Sequence, residues 1–158
     1  IRVESRIGEG SVFTFDIPDR ILSSGPVSAE EVRQQWRGMC VCVWDDNPAD
    51  LRTIEHLLER CGVTPRYAES IDIIQSRLAN DVPADAVLCN LDMPGLAERL
   101  PEFRKMRPDI PWIAFSNWIL PPDEQVKNFF SAFIDRPIRP EQLYGTLFKL
   151  PADKRPTP

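Results

Sequence analysis

The chain has 158 residues, a net charge of -5 and 42% hydrophobic residues, enough for one ordinary domain with a core of its own. The acidic balance argues against a general nucleic-acid or anionic-membrane role. No apolar run reaches the roughly 18 residues of a membrane span, and the chain opens at Ile1 with no signal-peptide pattern, which reads as a piece excised from a longer protein.

Residues 1–18 alternate. Ile1, Val3, Phe13, Phe15 and Ile17 are apolar, and Gly8-Glu9-Gly10-Ser11 separates the two runs, which is a hairpin pattern. Residues 19–37 read as a linker. Ser23-Ser24-Gly25-Pro26 is turn-like, and Ser28 with Glu31 three residues later predicts a short capped helix through Trp36. The apolar run at 39–44 lacks alternation, as expected of a strand covered on both faces, and it ends in Asp45-Asp46. Asn47-Pro48 supplies a cap and a proline at the first helical position. Leu51, Ile54, Leu57, Leu58 and Cys61 then recur at helical spacing until Gly62 stops the helix. His56 lies off that stripe and reads as a surface residue.

A short strand is predicted at 64–68, followed by a helix capped by Ser70 and carrying Ile73, Ile74, Arg77 and Leu78. Ala86-Val87-Leu88-Cys89-Asn90-Leu91 is a buried strand that runs into a polar end, and Met93-Pro94 closes it with a turn. A helix follows within 96–107, with Leu96, Leu100, Phe103 and Met106 inward and Pro101 as a kink or a delayed start. Further strands fall at 111–115 and 132–135. Pro121-Pro122-Asp123 opens a short helix with Val126, Phe129 and Phe130. Pro140 opens a last helix with Leu143, Leu147 and Leu150 as its stripe, and residues 151–158 read as a disordered tail. The 16 prolines fall largely at turns and helix starts, so they punctuate a fold rather than signal disorder. Cys40, Cys42, Cys61 and Cys89 have no CxxC spacing and no nearby histidine. Small buried hydrophobes in a reducing compartment are the favoured reading over a three-cysteine metal site.

Strands alternating with helices imply an α/β fold with a parallel sheet. In such sheets the chemistry lies beyond the carboxyl ends of the strands. There the sequence places Asp45, Asp46, Asn90, Ser116 and Arg136. Taken singly, each has an ordinary explanation as surface charge or turn chemistry.

Taken together, the motifs resemble a response-regulator receiver domain over residues 38–150. Val41-Cys42-Val43-Trp44-Asp45-Asp46 is similar to the family's first strand and acidic pair. The 86–94 stretch is similar to its third strand, whose phosphorylated Asp is here Asn90. Ile113-Ala114-Phe115-Ser116 is similar to the fourth strand with its Ser/Thr. Phe133-Ile134-Asp135-Arg136-Pro137 is similar to the fifth strand, with Arg136 where the family has Lys. After Met93-Pro94 the family has Met-Asp-Gly, whereas this chain has Leu96-Ala97-Glu98. The resemblance implies a doubly wound, five-stranded parallel sheet of order 2-1-3-4-5, flavodoxin-like, with an N-terminal hairpin extension. Residues 1–18 resemble the end of a histidine-kinase ATP-binding domain. The division is then 1–18 kinase end, 19–37 linker, 38–150 receiver-like domain and 151–158 tail.

In the family the acidic pair and the phosphorylated Asp hold Mg²⁺, which neutralises the incoming phosphoryl oxygens. An amide at 90 is a poor nucleophile and removes a charge from the metal site, which leaves Asp45 and Asp46 as a weak Mg²⁺ site. Arg136 is either forked onto Asp45 or Asp46 or an exposed loop arginine. Ser116, Phe133 and Arg136 stand at the family's switch positions. The implied function is a non-enzymatic pseudo-receiver of a hybrid sensor histidine kinase in a two-component phosphorelay. It would be cytoplasmic, in a parent chain that is itself membrane-anchored or not, without cofactor or nucleic acid. It would act by contact with other domains of that kinase or a cognate receiver, through a face including Trp118, Phe129, Phe130, Phe133 and Tyr144, some of which must belong to the core. Two alternatives remain open: a phosphoacceptor receiver that uses Asp92, and a sensor of a small ligand or nucleotide second messenger, for which Arg52, Arg104, Arg107 and Arg139 supply basic surface.

Overall fold

The apolar runs of the sequence become strands, and the capped amphipathic runs become helices. The structure, a computed structural model, describes residues 2–8, 10–15, 26–80, 84–117 and 123–150. Strands β1 (Arg2–Arg6) and β2 (Gly10–Thr14) pair antiparallel, with Val3 opposite Phe13. Helix α1 (Ala29–Trp36) leads to β3 (Cys40–Trp44), α2 (Pro48–Arg60), β4 (Thr64–Ala68), α3 (Ile71–Ala79), β5 (Ala86–Asn90) and α4 (Leu96–Met106). Then come β6 (Trp112–Ser116), α5 (Glu124–Phe129), β7 (Ala132–Asp135) and α6 (Pro140–Lys149). Strands β3 to β7 form one sheet of order β4-β3-β5-β6-β7, with every pairing parallel. Numbered from β3, that is the expected order 2-1-3-4-5.

Period-two alternation sends side chains of each inner strand to both faces. Val41, Val43, Leu88, Ile113, Phe115 and Ile134 pack with α1, α2 and α6. Cys42, Trp44, Val87, Cys89, Trp112 and Ala114 pack with α3, α4 and α5. Trp44 meets Phe103 edge-on at 6.1 Å, and Phe103 stacks on Trp112 at 5.4 Å. The helices begin where their caps predict: Asn47 accepts from the Ala49 N–H, Ser70 from the Ile73 N–H and Asp123 from the Val126 N–H. All four cysteines are free and buried. Burial pushes the Cys42 thiol up to about 11 and raises Cys89 as well, so both stay protonated and pack as small hydrophobes.

Several expectations need correction. The second half of the 19–37 linker is not a free connection. Helix α1 has a complete Ser28/Glu31 capping box, Val32 and Trp36 are buried in the core, and the Trp36 indole N–H donates to the Leu147 carbonyl at 3.0 Å. Helix α4 runs through Pro101 rather than starting after it. Ile73 is exposed, and Ile74 and Leu78 fill the core from α3. Of the aromatics expected on a docking face, Phe129, Phe130 and Tyr144 are interior, and Phe133 is half-buried against Phe130. Trp118, Ile1, Ile17, the turn at 23–25 and the 151–158 tail lie outside the described residues.

Candidate functional site

Parallel pairing aligns the carboxyl ends of the strands along one edge. Trp44 sits opposite Cys89, Asn90 opposite Phe115, and Ser116 opposite Asp135. Asp45 therefore leaves β3 beside Asn90, the last residue of β5, and Arg136 leaves β7 beside Ser116, the last residue of β6. The Arg136 N–H donates to the Ser116 carbonyl at 3.0 Å, and the Arg136–Pro137 peptide bond is cis.

Asp45 is the centre of the site and is fully buried. Its Oδ1 accepts from the Asp46 N–H at 2.9 Å, the Asn47 N–H at 3.3 Å, Asn90 Nδ2 at 3.0 Å and Arg136 Nη2 at 3.3 Å. Its Oδ2 accepts from Arg136 Nη2 at 3.1 Å. Burial raises the Asp45 carboxyl above its ordinary value, while the Asn47 and Asn90 bonds and the Arg136 charge oppose that rise. Asn90 works in both directions: Nδ2 donates to Asp45, and Oδ1 accepts the Asp92 N–H at 2.9 Å. These two partners, a carboxylate and a donor, fix which end of the amide is which.

Of the two readings of Arg136, an ion pair is present, made through the single nitrogen Nη2 rather than a fork, and with Asp45 rather than Asp46. Its side chain is only 12% exposed, and Nη2 lies 3.1 Å from Asp45 and 3.0 Å from Asp50 Oδ2. The guanidinium lies over the Phe115 ring, 4.9 Å from its centre. Asp50 was not among the expected site residues. It sits in the first turn of α2, where an acidic residue has a sufficient local reason to occur beside the helix dipole. Its place three residues after the Asn47 cap, facing the same edge as Asp45, was the available signal. Asp92 also comes closer than its loop position suggested: its carboxylate accepts from the Ser116 hydroxyl at 3.3 and 3.5 Å.

The donor set does not fit a divalent cation. Both Asp45 oxygens already face the Arg136 guanidinium, Asp46 is exposed, and the Asn90 oxygen is turned to a backbone N–H. Among the described residues no group of three or more His, Cys, Asp or Glu side chains is placed to hold a metal. Two of the basic residues considered for a ligand are already engaged within the chain. Arg104 donates to the Phe129 carbonyl and stacks on its ring, and Arg107 pairs with Asp109. No helix among the described residues is long and apolar enough to cross a membrane.

No protein-family model matches the chain, and no curated protein sequence does either. Solved structures do match. A CheY-like response-regulator receiver domain from Methylobacillus flagellatus aligns with a TM-score of 0.62 at 20% identity, covering 69% of this chain and 95% of that one. A receiver domain from Clostridium thermocellum aligns at 0.57 and 24% identity, covering 69% and 90%. The chemotaxis response regulator CheY4 of Vibrio cholerae aligns at 0.60 and 20% identity, covering 69% and 95%. At such identities the likeness is one of fold: the chain is built like a CheY-type response-regulator receiver domain, with a hairpin in front of it.

Proposed function

We propose that this chain is a pseudo-receiver module of two-component signalling, joined to the end of a kinase ATP-binding domain in a hybrid sensor histidine kinase. On this reading it is not an enzyme. It sits in the cytoplasm and works by contact with other domains of that kinase or with a cognate receiver. The observation that carries the reading is Asn90. Phosphoryl transfer to a receiver needs a carboxylate oxygen that can attack and then carry an acyl phosphate. The amide at this strand end is a poor nucleophile, and both its ends are already bonded, to Asp45 and to the Asp92 backbone.

A second reading has one observation in its favour. Asp92 is exposed, and its carboxylate accepts from the Ser116 hydroxyl, which supports it as the alternative phosphate acceptor. One experiment separates the two. The chain is incubated with acetyl phosphate and Mg²⁺ and its intact mass is measured, with beryllofluoride binding followed in parallel. The pseudo-receiver reading expects neither a phosphate adduct nor a stable beryllofluoride complex. A stoichiometric adduct that Asp92→Asn abolishes would establish the second reading instead.

A further inference from the structure

The sheet edge gathers two inward carboxylates, Asp45 and Asp50, around one guanidinium. A single nitrogen, Arg136 Nη2, lies 3.1 Å from one oxygen of Asp45, 3.3 Å from the other and 3.0 Å from Asp50. Asp45 has no exposed surface, so water cannot compensate its charge and a cation must. We propose that Arg136 is the permanent cation of this pocket: its guanidinium stands where a divalent ion would otherwise neutralise the acidic residues, and it closes the pocket to Mg²⁺.

Three features of the site converge on this. The first is acceptor occupancy. Asp45 Oδ1 already receives the Asp46 and Asn47 N–H groups, the Asn90 amide and the guanidinium, and Oδ2 faces the same guanidinium nitrogen. The second is ligand chemistry. Mg²⁺ requires oxygen ligands in a tight octahedron, yet the neighbouring strand end presents an amide whose N–H₂ side, not its oxygen, faces Asp45. The third is anchoring. The guanidinium rests on the Phe115 ring, and its Nη2 alone reaches two carboxylates from different elements. Asp45 follows β3, Asp50 belongs to α2 and Arg136 follows β7, so one side chain fastens three elements without an exchangeable ligand. The inference concerns the pocket alone and holds whether or not the module works through protein contact.

The test is thermal unfolding of the whole chain in EDTA, in millimolar MgCl₂ and in millimolar guanidinium chloride, each at matched ionic strength. The parent should melt at the same temperature in all three. Arg136→Ala should melt several degrees lower in EDTA and regain part of the loss in millimolar guanidinium, which refills the vacated place, or in Mg²⁺, which can now enter. Arg136→Gln, of similar volume but uncharged, covers the case in which the alanine variant does not fold, and it should gain Mg²⁺ stabilisation that the parent lacks. Mn²⁺ binding followed by electron paramagnetic resonance gives a reading that does not depend on stability, with the parent expected to leave the free-ion signal unchanged. The proposal is overturned if the parent is stabilised saturably by Mg²⁺ and Asp45→Asn removes that effect, or if the Arg136 variants melt like the parent.

Discussion

Asn90 and Asp45 illustrate how one atom exchange changes what a site can be. The amide nitrogen lies 3.0 Å from Asp45 Oδ1 and donates to it. A carboxylate at position 90 would turn that bond into a repulsion between two acids. Arg136 cannot absorb the extra charge, because it already serves both Asp45 and Asp50. Asn90→Asp should therefore destabilise the chain by about 1–3 kcal/mol near neutral pH, the cost of losing a charged hydrogen bond and facing a buried like charge. Burial and the neighbouring acid would raise the folded-state pKa of the new carboxyl above its unfolded value. The folded state then binds more protons, so the deficit should be largest above that raised pKa and shrink as pH falls. Urea unfolding of both forms at neutral and mildly acidic pH measures this; equal midpoints at neutral pH would mean that the pair does not interact. Asp45, Asn90 and Ser116 were legible because each ends an apolar run, and Arg136 because it stands before Pro137 where the resembled family has Lys. Asp50 was not, because an acid in the first turn of a helix has a local reason to be there and no strand end to mark it as part of a site, and the Ser116–Asp92 contact depends on how a loop folds back.

Among the elements, α1 shows the limit of local signals. Its start was legible from Ser28 and Glu31, whose reciprocal bonds form the capping box. Its destination was not, since the charged run between Ala29 and Trp36 leaves only Val32 and Trp36 as apolar markers, a single i, i+4 pair. One further signal was available. Val27, immediately before the cap, and Val32, four residues into the helix, have the spacing of a hydrophobic staple, and both join the core cluster on the α2 and α6 side. The Trp36 ring is buried, and its N–H reaches the Leu147 carbonyl in α6. Trp36→Ala should thus cost about 3–5 kcal/mol, as for other large-to-small core changes. Trp36→Phe, which keeps most of the ring and loses the bond, should cost less, about 0.5–1.5 kcal/mol beyond the lost area. Equilibrium denaturation of the two variants checks the order. A negligible effect of Trp36→Ala would restore 19–37 to the status of a linker.

At the scale of the whole molecule, the receiver-like sheet and the hairpin obey different rules. The sheet is covered on both faces by helices, and its three inner strands β3, β5 and β6 are buried at every position. The alternation within residues 1–18 predicted the hairpin correctly, yet periodicity says only which residues share a face, not whether anything covers it. Here every described hairpin residue is exposed. Val3, Phe13 and Phe15 remain 53%, 67% and 62% accessible, although Val3 and Phe13 pair directly across the strands. A two-stranded hairpin alone is at best marginally stable in water, because the backbone bonds and one cross-strand apolar pair barely offset the entropy of ordering the chain. The stability of the chain should therefore reside almost wholly in residues 26–150. A fragment starting at residue 26 is expected to melt within about a degree or two of the full chain, a shift well below that of losing a core element. Amide exchange in β1 and β2 should reach completion long before exchange in β3, β5 and β6, since the hairpin opens without disturbing the core. Differential scanning calorimetry of the two lengths, with hydrogen exchange on the longer one, tests both statements. A large drop in melting temperature on removing residues 1–25, or protected amides in the hairpin, would show that the hairpin face is covered by the rest of the chain in solution.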